Sequence, residues 1–585
     1  MSGHIHPRWG RPIDEYVHSY DLPAARKRIY VTPSMEALGI RSISRVTRLG
    51  GAHQPEHSDV ETVTIHILEL ILNLALCPRT IHRFADPPLI SGCVKLMSTI
   101  RVDQKISPFS YEYGYLCFKI MTIAIGVNIL QRTRDLEMTV ANMESDADTE
   151  LMLILSGHVS RVLKDEIEST NGTQACNWVL GWARVSGQHQ LQLFPLILRS
   201  DIKLILNILW EDRELFLKTF MITHSPGLSG VMFVLWRYLY SGSRFTDNSP
   251  SRLLAAPLCE LLWRYMLVAT TDQLTPLVYI NNDLQLTKKA AIWHKSPKFI
   301  NPSDLRNILQ AYIGRMSPVD PRSHKPLDIA AIPVLLRFII NIMQDGAEIF
   351  FPPLVGLTLD RVWDTLYDVN ADDQETVSYA GLIISMFQEL VRPLNHTYHA
   401  RTVAIRELIK TLAERILPDM IAYAMFLVEP FAIQSSPAYI KCMDFLEKVT
   451  ILFIQLDDIA FRDLMKLHFK SYCYDWIKVD RHLVVLERSL SHEVSPHAGY
   501  YQACRRVWYQ ILHSLAIGPC IKELSDAKHA CSYPRCAIPK PLNIAGLGYD
   551  TLSDQQYCSV RCQVKDREIG DLQDNTHINN HVQEN

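Results

Sequence analysis

The chain has no large excess of charge of either sign. Its 585 residues include 59 Lys and Arg and 62 Asp and Glu, which gives a formal net charge of −3 at pH 7. A surface dedicated to nucleic acid usually requires a clear basic excess. The composition therefore argues against a nucleic-acid partner.

Long apolar runs are also missing. A membrane-spanning helix needs roughly 20 mostly apolar residues, and the nearest window, 116–130, is interrupted by Lys119 and Asn128. The first thirty residues are broken by three prolines and carry several acids, so no apolar signal segment forms there. We expect neither a membrane span nor secretion.

The sequence lacks the cysteine spacing of a disulfide framework. Most of its 13 cysteines are scattered singly through apolar, helix-like segments. These are Cys77, Cys93, Cys117, Cys176, Cys259, Cys442, Cys473, Cys504 and Cys520. Such thiols usually behave as small buried hydrophobic groups, and unpaired cysteines are typical of a reducing compartment. We therefore expect a soluble intracellular protein, cytoplasmic or nuclear.

Catalytic signatures are absent as well. The sequence contains no Gly-rich phosphate-binding loop, no His-Glu-x-x-His and no Gly-x-Ser-x-Gly. The acidic pairs Asp372–Asp373 and Asp457–Asp458 fall at expected turns or helix starts, where carboxylates favour the positive end of the helix. These observations predict a protein without enzymatic activity.

What the sequence does contain is helical periodicity. From Val60 onward, apolar residues recur at steps of three and four, the spacing of one helix face. Three segments, beginning near residues 65, 204 and 335, share one pattern: a long helix, a bend or short helix, a break, and a second long helix. Prolines at the first turn of a helix are tolerated there because the missing N–H has no intrahelical partner. Helix should therefore dominate the fold.

The same three segments carry an asparagine at equivalent places, Asn73, Asn207 and Asn341. Their spacing is roughly three times the 40–47-residue period of armadillo and HEAT repeats. The pattern resembles armadillo-type repeats, and the resemblance implies that each asparagine holds a neighbouring backbone at the corner. A helical bundle in which these positions coincide is the alternative. The predicted fold class is all-α, an armadillo- or HEAT-like helical-repeat array.

The chemistry of the C-terminal region comes from two close cysteine pairs. Cys531 and Cys536 form the first pair, and Cys558 and Cys562 form the second. Each pair can present two thiolates from one tight turn, and four thiolates complete a closed tetrahedron around Zn²⁺. Because no coordination position is left for water, such a site is structural. The sequence predicts one structural zinc ion.

Residues 557–566 read Tyr-Cys-Ser-Val-Arg-Cys-Gln-Val-Lys-Asp, which resembles the signature of the MYND-type zinc finger. That family carries two zinc ions, and its first and third cysteine pairs hold one of them. By this resemblance Cys531, Cys536, Cys558 and Cys562 are the ligands of that ion. The layout is similar to that of fungal proteins that end in a MYND finger.

The sequence departs from the family pattern in several places. The first pair is wider than usual, and no second cysteine pair lies between 537 and 557. Arg567 stands where the family has tryptophan, and the expected final histidine and cysteine fall on Gly570 and Asp574. The family's second zinc site and part of its peptide-binding groove are therefore missing. His577 and His581 are the alternative ligands for a second ion.

Together these features predict four regions. Residues 1–57 show little periodicity and are expected to be a poorly ordered N-terminal arm. Residues 58–518 are expected to form the helical-repeat body, 525–569 the zinc module and 570–585 a disordered tail. The expected function is that of a non-enzymatic zinc-binding scaffold whose partners are other proteins. The alternative is a divergent enzyme, a protein methyltransferase or a ubiquitin-transfer factor, that uses the zinc module for docking.

Overall fold

The computed structural model describes residues 5–20, 30–51, 60–146, 149–169, 174–182, 194–240, 250–298, 300–318, 324–395, 399–427, 436–490, 496–517 and Arg535. Helix accounts for 79% and strand for 2% of these residues, so the expected all-α class is confirmed. The chain divides into two compact units, Met1–Lys325 and Pro326–Asn585. The helical body expected over 58–518 is thus divided between two units, with the boundary between Lys325 and Pro326.

The α-helices of the first unit are α1 (Ile13–Tyr16), α2 (Pro33–Gly51), α3 (Ile65–Ala75), α4 (Pro87–Met97), α5 (Glu112–Thr133), α6 (Leu136–Ser145), α7 (Leu151–Ser169), α8 (Arg199–Glu211), α9 (Arg213–Phe220), α10 (Leu228–Tyr240), α11 (Pro250–Met266), α12 (Thr271–Leu286), α13 (Ala290–Lys295) and α14 (Pro302–Met316). Short 3₁₀ helices cover Val17–Ser19, Pro78–Phe84, Pro108–Ser110 and Gln174–Leu180. The strands β1 (Arg101–Val102) and β2 (Lys105–Ile106) pair antiparallel. Asp103 and Gln104 between them both have positive φ, as a tight two-residue hairpin requires.

The core of the first unit is built around α5. This helix is apolar on all sides and is surrounded by α3, α4, α7 and α10. Within the described ranges it is the one helix long and apolar enough to cross a membrane, and its apolar window is completely buried. A helix that is hydrophobic all round and covered by other helices is a core helix. Its burial therefore favours a soluble protein.

Residues 5–20 and 30–51 pack against this core, so within these ranges the poorly ordered arm expected over 1–57 is not found. Helix α2 buries Ile43, Val46 and Leu49 and packs along α4. The two helices approach so closely that a Cβ at Gly50 or Gly92 would lie about 2 Å from a backbone carbonyl of the other helix. Glycine is therefore required at this crossing. The spacing of apolar residues did not indicate α2, because α2 is stabilised by packing on α4, which is distant in the sequence.

Residues 5–20 are fixed by buried polar contacts to the same core. Arg11 pairs with the carboxylate of Glu112 on α5, which also accepts a hydrogen bond from the Tyr20 hydroxyl at 2.8 Å. Burial opposes the Glu112 charge, but these donors hold its pKa below the ordinary value. The Tyr16 hydroxyl donates to the Phe109 carbonyl oxygen at 2.7 Å. Each contact satisfies a polar group that would be costly to bury alone.

The α-helices of the second unit are α15 (Ile332–Ile342), α16 (Phe351–Leu366), α17 (Asp373–Val391), α18 (His399–Glu414), α19 (Leu417–Leu427), α20 (Pro437–Ile459), α21 (Arg462–Phe469), α22 (Cys473–Leu490) and α23 (Pro496–Ser514). Short 3₁₀ helices cover Glu348–Phe350, Arg392–Asn395 and Lys470–Tyr472. In this unit α17 packs against α20, and α23 packs on both α20 and α22. Asp372 caps α17 by accepting a hydrogen bond from the Glu375 amide at 2.8 Å, as its position in the sequence predicts. The pair Asp457–Asp458 instead lies in the last turn of α20.

The local helical pattern is found at each of the three expected places. Helix α3 is followed by a 3₁₀ helix and α4, helix α8 by α9 and α10, and helix α15 by a 3₁₀ helix and α16. Prolines occupy the first turns of α4 and α16. The pattern of long and short helices is therefore confirmed as secondary structure.

The role expected of the repeated asparagines is wrong for two of them. Asn207 and Asn341 are exposed, and the Asn341 amide donates to the Arg337 carbonyl of its own helix at 2.7 Å. Asn73 is half-buried. The asparagine that does tie a helix to a neighbouring backbone is Asn128, which is buried and donates to the Phe84 carbonyl oxygen at 3.2 Å. Position within a periodic pattern did not distinguish these roles.

The isolated cysteines behave as expected. Eight of the nine lie in the described ranges, where all eight are buried and none forms a disulfide; Cys520 lies outside those ranges. Burial raises the pKa of the Cys259 thiol to about 12 and that of Cys442 above its ordinary value. Cys259 and Cys442 therefore act as neutral packing groups.

Candidate functional site

The predicted zinc ligands Cys531, Cys536, Cys558 and Cys562 lie outside the described residues. The same is true of His577 and His581. Among the residues that the structure does describe, no group of three or more His, Cys, Asp or Glu side chains could hold a metal ion. The zinc site therefore stays a prediction from the sequence.

One residue of the first cysteine pair's segment is described, and it contacts the second unit. Arg535, which directly precedes Cys536, places its Nη1 atom 3.1 Å from Oδ1 of Asp360 on α16. The other carboxylate oxygen, Oδ2, lies 3.2 Å from Nη1 of Arg415. One carboxylate thus receives two guanidinium groups, one on each oxygen.

The surroundings of Asp360 strengthen this contact. Asp360 and Arg535 are only about one-fifth exposed, so water screens their attraction less than at an open surface. Burial raises the pKa of Asp360, while Arg415 and Arg535 act in the opposite direction. The Arg415 backbone is held in turn by the Trp363 indole, whose Nε1–H donates to the Arg415 carbonyl oxygen at 3.1 Å. The Asp360 carboxylate therefore holds the Arg535 guanidinium from α16.

The sequence carried little sign of this anchor. Asp360 and Arg415 follow apolar helical stretches of the kind that are usually bordered by surface charges. Arg535 was noticeable only as part of the cysteine pair. The contact joins residues 175 positions apart, so no local pattern reports it.

The most deeply buried ion pairs lie in the first unit and form a closed cluster. The Arg264 side chain is inaccessible to solvent and makes a two-pronged contact with Asp304, at 2.8 Å and 2.7 Å. It also donates to Oε1 of Glu260 at 2.9 Å. Burial alone would lower the pKa of Arg264, but Asp304 and Glu260 raise it.

Further donors complete this buried cluster around Glu260. Nε of Arg213 lies 3.2 Å from Oε1 of Glu260, and the Trp293 indole donates to Oε2 at 2.9 Å. The cluster joins α9, α11, α13 and α14. Because its central guanidinium is closed to solvent, we assign it to stability and not to chemistry. Arg264 could have been noticed in the sequence, since it interrupts the apolar stretch 261–268.

A second buried carboxylate, Asp212, lies at the bend between α8 and α9. It accepts hydrogen bonds from the Ser107 hydroxyl at 2.7 Å and the Phe109 amide at 2.8 Å. Burial raises its pKa to about 7, although both donors act against the rise. The sequence presents this position as a charged surface bend, whereas the structure uses it to fix the chain before α5.

Comparison with protein-family models, with curated proteins and with solved structures finds no match. The similarity to MYND fingers thus depends on the residues 531–566 themselves.

Proposed function

We propose that the protein is a non-enzymatic scaffold that binds other proteins and ends in a MYND-like module closed by one structural zinc ion. The observation that carries the proposal is the pairing of Cys531 and Cys536 with Cys558 and Cys562 inside the string Tyr-Cys-Ser…Cys-Gln…Asp. Four thiolates at this spacing fit zinc and leave it no open position for catalysis. Support for a fixed attachment comes from Arg535, which is paired with Asp360.

The helical body is proposed to be an armadillo- or HEAT-like array. The threefold recurrence of a long helix, a short helix or bend, and a second long helix supports this proposal. Arrays of this type present extended surfaces to partner proteins. The competing arrangement is a helical bundle with the same local elements.

The enzyme alternative receives no support from the described residues. A SET-type methyltransferase requires a compact β-rich block, and the described strands are the two-residue β1 and β2. We therefore propose the scaffold in preference to the enzyme.

Replacing Asp360 with asparagine should loosen the attachment of the segment around Arg535. The substitution removes the negative charge that holds the guanidinium, and a partly exposed pair of this kind contributes up to about 1 kcal/mol. A loss of that size raises the population in which Arg535 is separated from residue 360 by roughly fivefold. Limited digestion with trypsin, in the presence of zinc, should cut the Arg535–Cys536 bond about five times faster in the variant.

The matched control for this experiment is Asp364→Asn on the same helix. Asp364 is about half exposed and pairs with Arg361 at 3.5 Å, so its loss should leave cleavage after Arg535 unchanged. Equal rates in wild type and Asp360→Asn would show that the ion pair does not hold this segment.

Affinity purification with three baits tests the function itself. We compare the full chain, a chain without residues 525–585 and the Cys558→Ser variant. A scaffold that recruits partners through a zinc-stabilised module should lose the same set of captured proteins in both altered baits. Capture that is identical for all three baits would place recruitment outside the module and contradict this part of the proposal.

A further inference from the structure

A cavity of about 390 Å³ lies in the first unit beside the core helix α5. Its walls come from the end of the N-terminal segment, from α3, from α5 and from the start of α7. We call it the Lys119 cavity, after the residue that α5 contributes to its polar end. Its volume falls in the range of pockets that hold small molecules.

The side chain of Lys119 is unusual for its position. The residue is only 9% exposed and belongs to a helix that is otherwise apolar. Its Nζ atom lies 5.9 Å from the centre of the Tyr20 ring and 5.8 Å from that of Tyr115. No carboxylate or hydrogen-bond acceptor among the described residues pairs with this ammonium group.

An ammonium group without an anion is costly to bury, and cation–π contacts offset only part of that cost. Methionine or leucine at position 119 would continue the apolar helix without the penalty. Lys119 instead lines the cavity, where its ammonium group can pair with an anion that enters.

Two further polar atoms near Lys119 are buried. The Tyr115 hydroxyl and Nε2 of His224 are buried and have no hydrogen-bond partner within the described ranges. Burial, with smaller contributions from Lys119 and His324, lowers the pKa of His224 to about 3. His224 is therefore neutral near pH 7, and Lys119 is the cation available to an incoming anion.

The charges around the cavity limit the charge of the ligand. Glu69 also lines it, and its carboxylate is about half exposed and 3.9 Å from Nδ1 of His66. Glu112, the nearest buried acid that contacts Tyr20, is occupied by Arg11. One lysine and one carboxylate on the same cavity suit a ligand with a single negative charge better than a doubly charged phosphate.

Apolar side chains form much of the cavity wall and include Leu72, Leu76, Ile123 and Met152, while Ser19 and Asn73 also line it. The apolar part removes an aliphatic chain from water but offers it no hydrogen bonds. The lining therefore offers a ligand one lysine and a large apolar surface.

We propose that the Lys119 cavity binds an aliphatic monocarboxylate, with the carboxylate on the Lys119 ammonium and the chain against the wall formed by α3, α5 and α7. This binding is independent of the zinc module and of the proposed scaffold function, because every residue involved belongs to the first unit.

Calorimetric titration of the full-length protein with octanoate tests the proposal. Wild type should bind octanoate, and Lys119→Met should bind it at least tenfold more weakly. Wild type should also bind the uncharged probe 1-octanol at least tenfold more weakly than octanoate. Lys203→Met, which alters an exposed lysine on α8, is the matched control and should bind like wild type.

A second variant addresses the apolar wall and separates binding from folding. Leu72→Trp keeps Lys119 but fills the cavity, so it too should lose octanoate binding by tenfold or more. Without ligand, Lys119→Met should melt at the wild-type temperature or above it, since the substitution removes a buried charge. Octanoate should raise the melting temperature of wild type and of Lys203→Met only.

Three results would overturn the proposal. The first is no octanoate binding by wild type, and the second is equal binding by wild type and either cavity variant. The third is octyl phosphate binding as tightly as octanoate, which would contradict the choice of a monocarboxylate. If Lys119→Met does not fold, Leu72→Trp and the comparison of octanoate with 1-octanol still decide the question.

Discussion

Replacing Cys558 with serine is expected to reduce the zinc content of the purified protein from one ion per chain to none. Zinc held by thiolates in small structural modules is bound by roughly 10–16 kcal/mol at neutral pH. A serine hydroxyl is neutral near pH 7 and cannot replace a thiolate, so the variant keeps three of four ligands. Elemental analysis by mass spectrometry after gel filtration measures the change directly.

The helical signal of Cys558→Ser should stay close to that of wild type. The described helices α1–α23 all end before residue 518 and have their own buried cores. Far-ultraviolet circular dichroism should therefore report a folded body beside a module without metal. Cys442→Ser is the matched control, because Cys442 is a buried free thiol in α20 and should leave the zinc content at one.

Two further results bear on the number of zinc sites. Removing residues 567–585 should leave the single ion in place, since the four cysteines precede the cut. Loss of zinc in that truncation would make His577 and His581 ligands. Two tightly held ions in wild type, or one retained ion in Cys558→Ser, would contradict the assignment of one site to four cysteines.

The features that sequence reasoning predicted are those with a short-range physical cause. An amphipathic or wholly apolar helix shows its apolar positions at steps of three and four, so the helical class and the three patterned segments could be predicted. Proline fixes φ and lacks an N–H, which explains why the first turns of α4 and α16 were recognisable. A thiol in an apolar run has few alternatives to burial.

The features that were missed depend on partners distant in the chain. Helix α2 is ordered by its contact with α4 across Gly50 and Gly92, and two glycines at unrelated positions carry no periodic signal. Asn73, Asn207 and Asn341 look equivalent in sequence, yet only the surrounding packing decides which asparagine reaches a neighbouring backbone. Lys119 appeared only as an interruption of an apolar window.

The candidate site divides in the same way. The cysteine pairs could be identified because metal ligation requires particular residue types at close spacing. The anchor at Asp360 could not, because an ion pair between residues 175 positions apart requires only that the fold bring the two together. Sequence thus predicts metal chemistry for the cysteine pairs, while the pairing of Asp360 with Arg535 is a tertiary contact.

Replacing Arg264 with methionine is expected to lower the free energy of unfolding of the first unit by roughly 3–5 kcal/mol. In wild type the Arg264 and Asp304 side chains have no solvent exposure. Methionine fills similar space but leaves the Asp304 carboxylate buried without its guanidinium partner. Glu260 is affected less, because Arg213 and Trp293 still donate to it.

Urea titration followed by tryptophan fluorescence measures this loss, since Trp263 and Trp293 both lie in the buried part of the unit. Arg161→Met is the matched control. Arg161 is 47% exposed and pairs with Asp135 at 3.2 Å, and exposed pairs contribute at most about 1 kcal/mol. The two arginine variants should therefore differ by several kcal/mol.

A double variant separates the effect of losing the arginine from the effect of leaving the Asp304 carboxylate buried without a partner. Adding Asp304→Asn to Arg264→Met neutralises the buried carboxylate, so the double variant should be more stable than Arg264→Met alone. That recovery follows because most of the cost of breaking a buried ion pair comes from the charge left behind. Two results would show that the buried cluster does not hold α11 to α14. The first is a double variant with a lower free energy of unfolding than Arg264→Met. The second is an Arg264→Met variant whose free energy of unfolding is as high as that of Arg161→Met.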